Sequence, residues 1–367
     1  MIKVCHITSV HKKYDVRIFE KECSSLVLAG YDVSLVVANA ESETLNGVKI
    51  VGVHVESSNR LLRFMNTSRK VIEAALEQKA DIYHFHDPEL LMYAGKLRKA
   101  GAKVIYDSHE DVPRQILDKP YIPKWMRGVV SKTVEKIENR VVKKVLTGVV
   151  AATPHIEERF RGVARYVVNI NNYPKLSSFG EPGEWDEREV AAGYVGGIFF
   201  KRGAVEMVKA LENNTIPLHL AGNFSPQSLR DQLVDLPGWK NVVEYGFVDR
   251  QAISEILSKI KVGLVILHPT PSYIYALPIK MFEYMAAGIP VIASDFELWK
   301  NIIDDAGCGI CVDPFNISEI EQALNKILQD DHLARKMGEN GRKAVLEKYN
   351  WESEAAKLSA FYVEILN

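Results

Sequence analysis

The sequence predicts an α/β protein made of two doubly wound, Rossmann-like parallel-sheet domains. Short apolar runs alternate with helical patterns along all 367 residues, which is typical of parallel strands joined by helical crossovers. The alternation is interrupted at residues 173–190, a polar stretch containing proline, glycine and serine, which we interpret as a linker. The chain is long enough for two domains of ordinary size, predicted at 1–172 and 191–350.

The predicted elements follow one another in the same way in both halves. Strand candidates in the first half are residues 2–7, 32–38, 49–55, 81–86, 103–108, 148–153 and 166–170. Those in the second half are residues 191–196, 217–222, 241–246, 262–267, 289–294 and 309–313. Helical patterns then occupy residues 317–329, 331–348 and 351–366.

Composition excludes several classes of protein. Hydrophobic residues make up 47% of the chain and charged residues 25%, as in ordinary globular proteins. The formal net charge of −1 provides no basic field for nucleic acid. No apolar run reaches the roughly 18–20 residues that span a bilayer, and the N-terminus leads directly into a strand without a signal-peptide pattern. These features predict a cytoplasmic protein.

Cofactor and redox motifs are weak. Cys308 and Cys311 have a C-x-x-C spacing, but we interpret them as small apolar residues in a turn and a strand. The first predicted strand is not followed by G-x-G-x-x-G, so the fingerprint of a nicotinamide or flavin enzyme is missing. We therefore expect no cofactor.

The run LPIKMFEYMAAGIPVIASD, residues 277–295, is the most informative segment. It predicts a helix opened by Pro278 and ended by Gly288, followed by a buried strand. The amides at such a helix start attract anions. Lys280 and Glu283 are three residues apart and therefore share a helix face. A cation for phosphate oxygens beside a carboxylate for sugar hydroxyls suits a nucleotide diphosphate, although a solvated Lys/Glu pair on an ordinary amphipathic helix gives the same pattern.

This run resembles the signature of the retaining GT-B glycosyltransferases in the "glycosyl transferases group 1" family, because residues 282–288 read FEYMAAG without a gap. The resemblance implies two domains facing across a cleft, with the helix at 351–366 packing back on the first domain. It also implies a nucleotide-diphosphate-sugar donor, with UDP favoured over GDP. The acceptor would be a glycan or lipid-linked glycan, as in bacterial cell-surface polysaccharide biosynthesis, and no metal would be required.

The resemblance also assigns donor-side residues. Arg202 would neutralise the departing diphosphate, and Glu283 would accept hydrogen bonds from the ribose hydroxyls. The family has a first acid eight residues before that glutamate, where this chain has Tyr275. Glycines that allow close approach of a ligand and basic residues near helix starts complete the predicted donor set: Gly196, Gly197, Lys201, Gly222, Pro278 and Lys280.

Polar clusters follow three strands of the first half, where ligands of doubly wound sheets bind. His109 resembles the family's cleft histidine, which contacts the donor sugar near its reacting carbon, and is predicted to be catalytic together with Arg202. The predicted acceptor-side residues are His11, Asp15, Arg17, His86, Asp87 and Glu110. A loop-stabilising ion pair is the alternative for the first three. The clusters lack a recognisable metal-ligand spacing, so no metal is expected.

Residues 119–144 contain eight lysines or arginines and one tryptophan, with apolar residues at helical spacing. Such a helix can lie on an anionic membrane surface, although a solvated basic face is the commoner explanation. A peripheral association with the inner face of the membrane is therefore one hypothesis.

The sequence thus predicts a retaining glycosyltransferase that transfers a sugar to a hydroxyl group. Two alternatives remain. One is a nucleotide-sugar epimerase of the same architecture, which needs no acceptor. The other is a non-catalytic subunit that binds nucleotide sugars, which the replacement of an acid by Tyr275 keeps open.

Overall fold

A computed structural model describes residues 1–55, 60–119, 121–178 and 182–367. The chain divides into two compact units, which we call the N-unit (Met1–Asn172 with Trp351–Asn367) and the C-unit (Tyr173–Asn350). Residues 179–181 of the predicted linker and residue 120 of the predicted basic segment lie outside the described residues.

The N-unit contains an eight-stranded sheet. Its strands are β1 (Lys3–Thr8), β2 (Asp32–Ala38), β3 (Glu43–Leu45), β4 (Val48–Val53), β5 (Ile82–Phe85), β6 (Lys103–Ser108), β7 (Gly148–Ala151) and β8 (Tyr166–Asn169). Its helices before the linker are α1 (Ser24–Leu28), α2 (Arg60–Glu77), α3 (Ala94–Lys99), α4 (Val112–Ile116), α5 (Lys124–Lys144) and α6 (Pro154–Phe160). A π-helical turn, Val16–Cys23, precedes α1.

The C-unit contains a six-stranded sheet and a short two-stranded one. Its strands are β9 (Ala192–Val195), β10 (Ile198–Phe199), β11 (Leu218–Ala221), β12 (Phe224–Ser225), β13 (Val242–Gly246), β14 (Val262–Val265), β15 (Val291–Ser294) and β16 (Gly309–Val312). Its helices are α7 (Ala204–Lys209), α8 (Ser228–Val234), α9 (Arg250–Lys259), α10 (Ile279–Ala286), α11 (Glu297–Ala306), α12 (Ile317–Gln329) and α13 (Asp331–Glu347). The last helix, α14 (Trp351–Leu366), belongs to the N-unit.

Both main sheets are doubly wound. The N-unit order is β3-β4-β2-β1-β5-β6-β7-β8, in which every pairing is parallel except that of β3 with β4. The C-unit order is β13-β11-β9-β14-β15-β16, and all of its pairings are parallel. The prediction of two Rossmann-like parallel-sheet domains is confirmed. The strand order reverses between β1 and β5 and between β9 and β14, and ligands of such folds bind beyond the strand ends at these points.

Alternating side chains explain why these strands are buried on both faces. In β1, Val4 lies in the core on one side of the sheet, whereas Cys5 and Ile7 lie in the core on the other side. Helix α14 covers the side of Val4, where its Phe361 and Tyr362 are buried. His6 and His84, which alternate with apolar residues along β1 and β5, are fully buried.

Several elements differ from the sequence-based expectation. The three final helices begin where predicted, but most strands are one or two residues shorter than predicted because residues at one or both ends lie outside the sheet. Strands β3, β10 and β12 and the π-helical turn were not predicted, since they are too short for hydrophobic periodicity to reveal. Pro278 stands before the first residue of α10, as its cap, rather than at the first helical position; its ψ of 119° is extended. Among the described residues, no helix has the length and apolar character needed to cross a bilayer.

Candidate functional site

Two glycine-containing loops meet at the reversal point of the C-unit sheet. Gly196 follows β9 with a φ of 129°, and Gly222 follows β11 with a φ of 145°. A Cβ atom on Gly222 would lie 1.9 Å from the carbonyl oxygen of Gly196. Both positions therefore require glycine, for backbone conformation and for space. The loops expose backbone at the end of the sheet where a ligand is expected.

Lys280 reaches this glycine loop from the first turn of α10. Its Nζ lies 3.7 Å from the centroid of the Tyr194 ring, and a Cβ on Gly196 would be 3.0 Å from it. The Nζ atom is shielded from solvent and has no hydrogen-bond partner among the described residues. Burial, and then the neighbouring charge of Arg202, lower the pKa of Lys280 well below its usual value. An ammonium in these surroundings has no hydrogen-bonded counter-ion among the described residues.

Arg202 lies on the same side of the loop. It ends a short 3₁₀ turn, Phe200–Arg202, that Gly203 closes in the left-handed conformation (φ 69°). Its guanidinium donates a hydrogen bond of 3.3 Å to the carbonyl of Gly197 and packs against the Phe199 ring. Lys201 is exposed, and its carbonyl accepts a hydrogen bond from the amide of His268. Arg202 and Lys280, rather than Lys201, thus form the cationic pair at the loop.

Two buried tyrosines that the sequence did not single out support the glycine loop. The Tyr284 hydroxyl accepts a hydrogen bond of 3.1 Å from the amide of Val195. The Tyr194 hydroxyl donates one of 2.8 Å to the carbonyl of Gly197. Tyr284 belongs to the FEYMAAG run, so its place in that motif was the available signal. Glu283 is partly buried beside it on α10, and its charge acts to raise the pKa of Lys280 against the effect of burial.

In the N-unit, Asp87 joins the loop after β1 to the end of β5. Its carboxylate accepts hydrogen bonds from the Thr8 hydroxyl at 2.8 Å and from the Ser9 amide at 2.6 Å. His11 lies within ion-pair distance of both Asp87 and Asp15. The hydrogen bond to Asp15, against the opposing effect of burial, raises the pKa of His11. These contacts hold the loop after β1. A loop-stabilising ion pair is the alternative that the sequence left open for His11 and Asp15.

Arg17 lies inside the N-unit. Its guanidinium donates to Asp107 at 3.0 Å and to the carbonyl of Ile170 at 3.1 Å, and it is 3.0 Å from Glu22. Although burial would raise the pKa of Asp107, the charge of Arg17 and the contacts with His109 hold it well below its usual value. The structure therefore gives Arg17 a buried ion-pair role. Glu110 is exposed, and its carbonyl accepts from the Ser108 hydroxyl.

His86 and His109 contact each other at the ends of β5 and β6. Nδ1 of His86 lies 3.0 Å from Nε2 of His109, which lies 3.1 Å from Oδ2 of Asp107. His109 is partly exposed, whereas His86 is buried. Burial lowers the pKa of His86 to about 4. The sequence placed these two residues at neighbouring strand ends, but it did not reveal their contact.

Two sets of side chains here are close enough to hold a metal ion: Glu22 with His86, Asp107 and His109, and His6 with Glu22 and His84. The charge of Arg17 already balances that of Asp107. Burial, and then the charge of Asp107, raise the pKa of Glu22 well above its usual value, which favours its protonated form. A divalent ion would therefore add uncompensated positive charge to a buried cluster, which is costly.

Family models match both halves of the chain. Residues 17–170 match a "glycosyl transferase 4-like domain", and residues 180–344 match "glycosyl transferases group 1". The second match, over residues 180–344, supports the resemblance to the glycosyl transferases group 1 family. This part of the chain carries the glycine loops, Arg202 and α10. The family part of the sequence-based interpretation thereby gains support.

Individual relatives are distant. MMP α-(1→4)-mannosyltransferase of Mycolicibacterium hassiacum is 25% identical over 40% of this chain and 35% of its own length. Lipopolysaccharide glucosyltransferase WaaG of Escherichia coli is 28% identical over 40% of each chain. An uncharacterized glycosyltransferase of Methanocaldococcus jannaschii, MJ1607, is 24% identical over 92% of this chain and 90% of its own. The chain thus covers less than half of the first two proteins.

Solved structures share the fold over the whole chain. Sucrose-phosphate synthase from Thermosynechococcus elongatus has a TM-score of 0.78 at 17% identity, and the match covers 100% of this chain and 99% of that one. Anabaena HepE in complex with UDP-glucose has a TM-score of 0.75 at 14% identity, covering 99% and 100%. At these identities the similarity shows a common fold.

Proposed function

We propose that the protein is a retaining, metal-independent glycosyltransferase that transfers a sugar from a nucleotide-diphosphate-sugar donor to a hydroxyl of a glycan or glycolipid. The observation that carries this proposal is the Nζ atom of Lys280, which is buried beside Arg202 and has no hydrogen-bond partner among the described residues. Two neighbouring cations without a paired anion suit a diphosphate, whose oxygens would satisfy both.

The surroundings of the two cations also support a nucleotide-sugar donor that lies close to the backbone of the loop. Gly196, Gly197 and Gly222 leave no side chains to block approach to the loop. The start of α10, after Pro278, adds free amides and the positive end of a helix dipole. Glu283, on the same helix, is proposed to accept hydrogen bonds from the ribose hydroxyls. Lys201, which is exposed, has a lesser role.

The reaction follows from this placement of charge. The bond between the sugar's anomeric carbon and the phosphate oxygen breaks while the acceptor oxygen forms a bond to the same carbon on the same face. The departing phosphate oxygen takes the acceptor's proton. Arg202 and Lys280 stabilise the negative charge that develops on the diphosphate, as an oxyanion hole does. We assign His109 to the donor sugar near the reacting carbon because of the family resemblance.

The acceptor side is proposed to include His11, Asp15, Asp87 and Glu110, whereas His86 is buried with both ring nitrogens facing other side chains. Arg17 is better explained as a buried ion-pair partner of Asp107 than as a contact for the acceptor. The relative WaaG is named for lipopolysaccharide, which supports a role in surface-polysaccharide biosynthesis. HepE was solved with UDP-glucose, which supports UDP over GDP as the nucleotide.

Thermal-shift measurements with UDP, GDP and ADP and their glucose or mannose conjugates test the donor class. A ligand that binds the folded state raises the melting temperature, and we expect the largest rise with UDP or UDP-sugars. No rise with any diphosphate contradicts the proposal. NMR of the sugar first released from the donor then tests retention, since the released anomer must have the configuration of the donor.

The same experiments distinguish the alternatives. An epimerase converts the nucleotide sugar without releasing nucleotide and without an acceptor. A non-catalytic subunit binds the nucleotide sugar but releases neither nucleotide nor sugar. Slow nucleotide release that increases when a glycan acceptor is supplied supports the transferase.

A second proposal concerns an anionic membrane surface. Helix α5 exposes Trp125 (81%), Val129 (68%) and Ile137 (59%), interspersed with lysines and arginines. Exposed aromatic and apolar side chains among basic ones are typical of helices that lie in a membrane interface. Co-sedimentation with vesicles containing anionic lipid, compared with neutral vesicles, tests this. Equal and negligible binding to both contradicts it, as does unchanged binding of Trp125→Ala.

A further inference from the structure

A chain of buried side chains connects His109 to the last helix of the N-unit. Nδ1 of His86 is 3.0 Å from Nε2 of His109, and Nε2 of His86 is 2.9 Å from Nδ1 of His6. Nε2 of His6 is 3.3 Å from the Tyr362 hydroxyl, which is 2.6 Å from Nδ1 of His84. All members except His109 are fully or almost fully buried. Each nitrogen–nitrogen or nitrogen–oxygen contact needs one hydrogen between its two atoms.

The rings in this chain are neutral. Burial, and then the charge of neighbouring histidines, hold the pKa values of His6 and His84 well below the usual range. Burial lowers that of His86 to about 4, against the effect of Asp107. A neutral imidazole carries one N–H donor and one acceptor nitrogen, so the direction of one hydrogen bond in the chain fixes the next.

Asp107 decides which nitrogen of His109 carries the hydrogen. Its Oδ2 lies 3.1 Å from Nε2 of His109, and because the group is a carboxylate it can only accept. A bare Nε2 would place two lone pairs against each other at that distance. Nε2 of His109 must therefore carry the hydrogen. Nδ1 of His86 lies 3.0 Å from that nitrogen and 3.4 Å from the same Oδ2, so it either accepts from His109 or donates to Asp107. In the first case it serves as an acceptor.

In this first case the remaining hydrogen bonds follow in one direction. His86 donates from Nε2 to His6, His6 donates from Nε2 to the Tyr362 oxygen, and the Tyr362 hydroxyl donates to Nδ1 of His84. His84 is left with its hydrogen on Nε2, which lies 3.8 Å from Oδ2 of Asp107. In the second case His86 donates from Nδ1 to Asp107, the rest of the chain runs in the opposite direction, and His109 still donates from Nε2 to the same carboxylate. Both arrangements therefore place the hydrogen of His109 on Nε2.

We propose that Asp107 is a positioning residue that holds the neutral ring of His109 in its Nε2–H tautomer, with Nδ1 left as a hydrogen-bond acceptor for the ligand. This inference deepens the role proposed for His109 and depends on the proposed function only for the identity of that ligand. An acceptor nitrogen pairs with a hydroxyl and not with an unprotonated phosphate oxygen. The group that His109 recognises is therefore a hydroxyl, such as one on a sugar.

The groups that face His109 come from every element packed against it. They are His6 of β1, His11 of the following loop, Arg17 and Glu22 of the π-helical turn, His84 and His86 of β5, Asp107 of β6 and Tyr362 of α14. Among these, Arg17 and Asp107 balance each other's charge, and burial raises the pKa of Glu22, which favours its protonated form. The chain of imidazoles accordingly needs no added ion to be satisfied.

Nitrogen NMR of the full-length protein labelled with ¹⁵N in histidine tests the tautomer. Long-range ¹H–¹⁵N correlation spectra distinguish a protonated ring nitrogen from a bare one, and His109→Gln identifies the signals of His109. Measured above the ordinary histidine pKa of about 6.5, we expect His109 to show a protonated Nε2 and a bare Nδ1. The exposed His332 provides an internal reference that has no such constraint.

Two variants separate the roles of the partners. Asp107→Asn replaces an obligate acceptor by a group that also donates, so His109 should lose its tautomer preference. His86→Asn keeps an acceptor near the position of Nδ1, so the preference should remain. A bare Nε2 on His109 in the unmodified protein overturns the proposal, as does an unchanged tautomer in a folded Asp107→Asn protein. If that variant does not fold, the spectrum of the unmodified protein decides alone.

One metal ion per chain, bound through these histidines in the purified protein, also overturns the proposal. The outcome is independent of donor binding. Absence of a UDP-induced thermal shift, together with the expected tautomer, contradicts the proposed function and leaves the assignment of Asp107 intact.

Discussion

Replacing Lys280 by methionine is expected to stabilise the empty C-unit and to abolish its response to nucleotide diphosphates. Methionine has a similar length and fills the space against Tyr194 without a charge. The Nζ atom that it removes has no hydrogen-bond partner in the part of the chain that the structure describes. If removing a residue stabilises the unliganded protein but abolishes ligand binding, the charge of that residue serves the ligand rather than the fold.

The size of the effect follows from the cost of burying the ammonium. Deprotonating a lysine of ordinary pKa, 10.5, costs about 1.4 kcal/mol per pH unit, or about 5 kcal/mol at pH 7. The cost of burying the ammonium cannot exceed this value, because a more strongly destabilised ammonium would lose its proton instead. Replacing buried charged groups by apolar ones of similar volume has stabilised proteins by about 1–4 kcal/mol. In a unit of this size, each kcal/mol corresponds to about 2–4 °C in melting temperature.

The stabilisation has a defined pH dependence. Because the pKa of Lys280 is lower in the folded protein than in the unfolded chain, the unfolded chain binds more protons between these two pKa values. Stability of the unmodified protein therefore rises with pH through that window. The advantage of Lys280→Met should be greatest at neutral and lower pH and should disappear as the pH passes the ordinary lysine value of 10.5.

Scanning calorimetry with and without UDP measures both parts of the prediction. A ligand at about 100 times its dissociation constant stabilises the unmodified protein by about 2.7 kcal/mol, and Lys280→Met should lose most of that gain. Lys201→Met, in the exposed lysine near the same loop, is the matched control and should change neither value appreciably. A less stable Lys280→Met protein without ligand, or one that retains the full UDP response, refutes the reasoning.

Four further substitutions probe the two sites. Arg202→Ala should lower kcat for donor cleavage by at least about 100-fold while raising the dissociation constant for UDP less, since charge on the diphosphate develops mainly in the transition state; an equal loss in both, measured by steady-state kinetics and calorimetry, would assign Arg202 to binding alone. Tyr284→Phe leaves the Val195 amide without its acceptor and should cost about 1–3 kcal/mol in urea unfolding, whereas a neutral result would mean that water replaces the hydroxyl. Arg17→Met leaves Asp107 buried without its counter-charge and should cost about 3–5 kcal/mol. Glu22→Gln, in a group whose pKa is raised well above its usual value, should cost less near pH 7; similar losses in these two proteins would show that Glu22 is charged.

The sequence predicted the fold because hydrophobic periodicity and family resemblance indicate the same architecture. The FEYMAAG run predicted α10, and the glycines after β9 and β11 predicted the loops that it faces. What periodicity cannot reveal is which way a side chain on a short helix turns. Lys280 was expected on a helix face beside Glu283, whereas its long side chain instead reaches back over Tyr194 into the glycine loop. That direction depends on packing between elements far apart in the sequence.

The N-unit shows the same limit more strongly. Strand ends predicted that His86 and His109 lie at one edge of a sheet, because neighbouring parallel strands end together. Because side chains alternate between the two faces of a strand, the sequence also predicts that His84 and His86 lie on the face opposite to Tyr83 and Phe85, which pack in the core on the other side. The contribution of Tyr362 could not be predicted, since it comes from a helix 276 residues after His86, a separation over which local sequence patterns carry no contact information.

The buried charges at the two reversal points are therefore compensated to different degrees. In the N-unit, the guanidinium of Arg17 faces Asp107, and the imidazoles satisfy one another, so the buried polar groups are largely complete without a ligand. In the C-unit, Arg202 and Lys280 share a loop with no carboxylate hydrogen-bonded to either among the described residues. A balanced network costs little to keep in one conformation and suits the orientation of a single ring, His109. Two neighbouring cations without a counter-ion lower the free energy of unfolding, and an anionic ligand raises it again on binding.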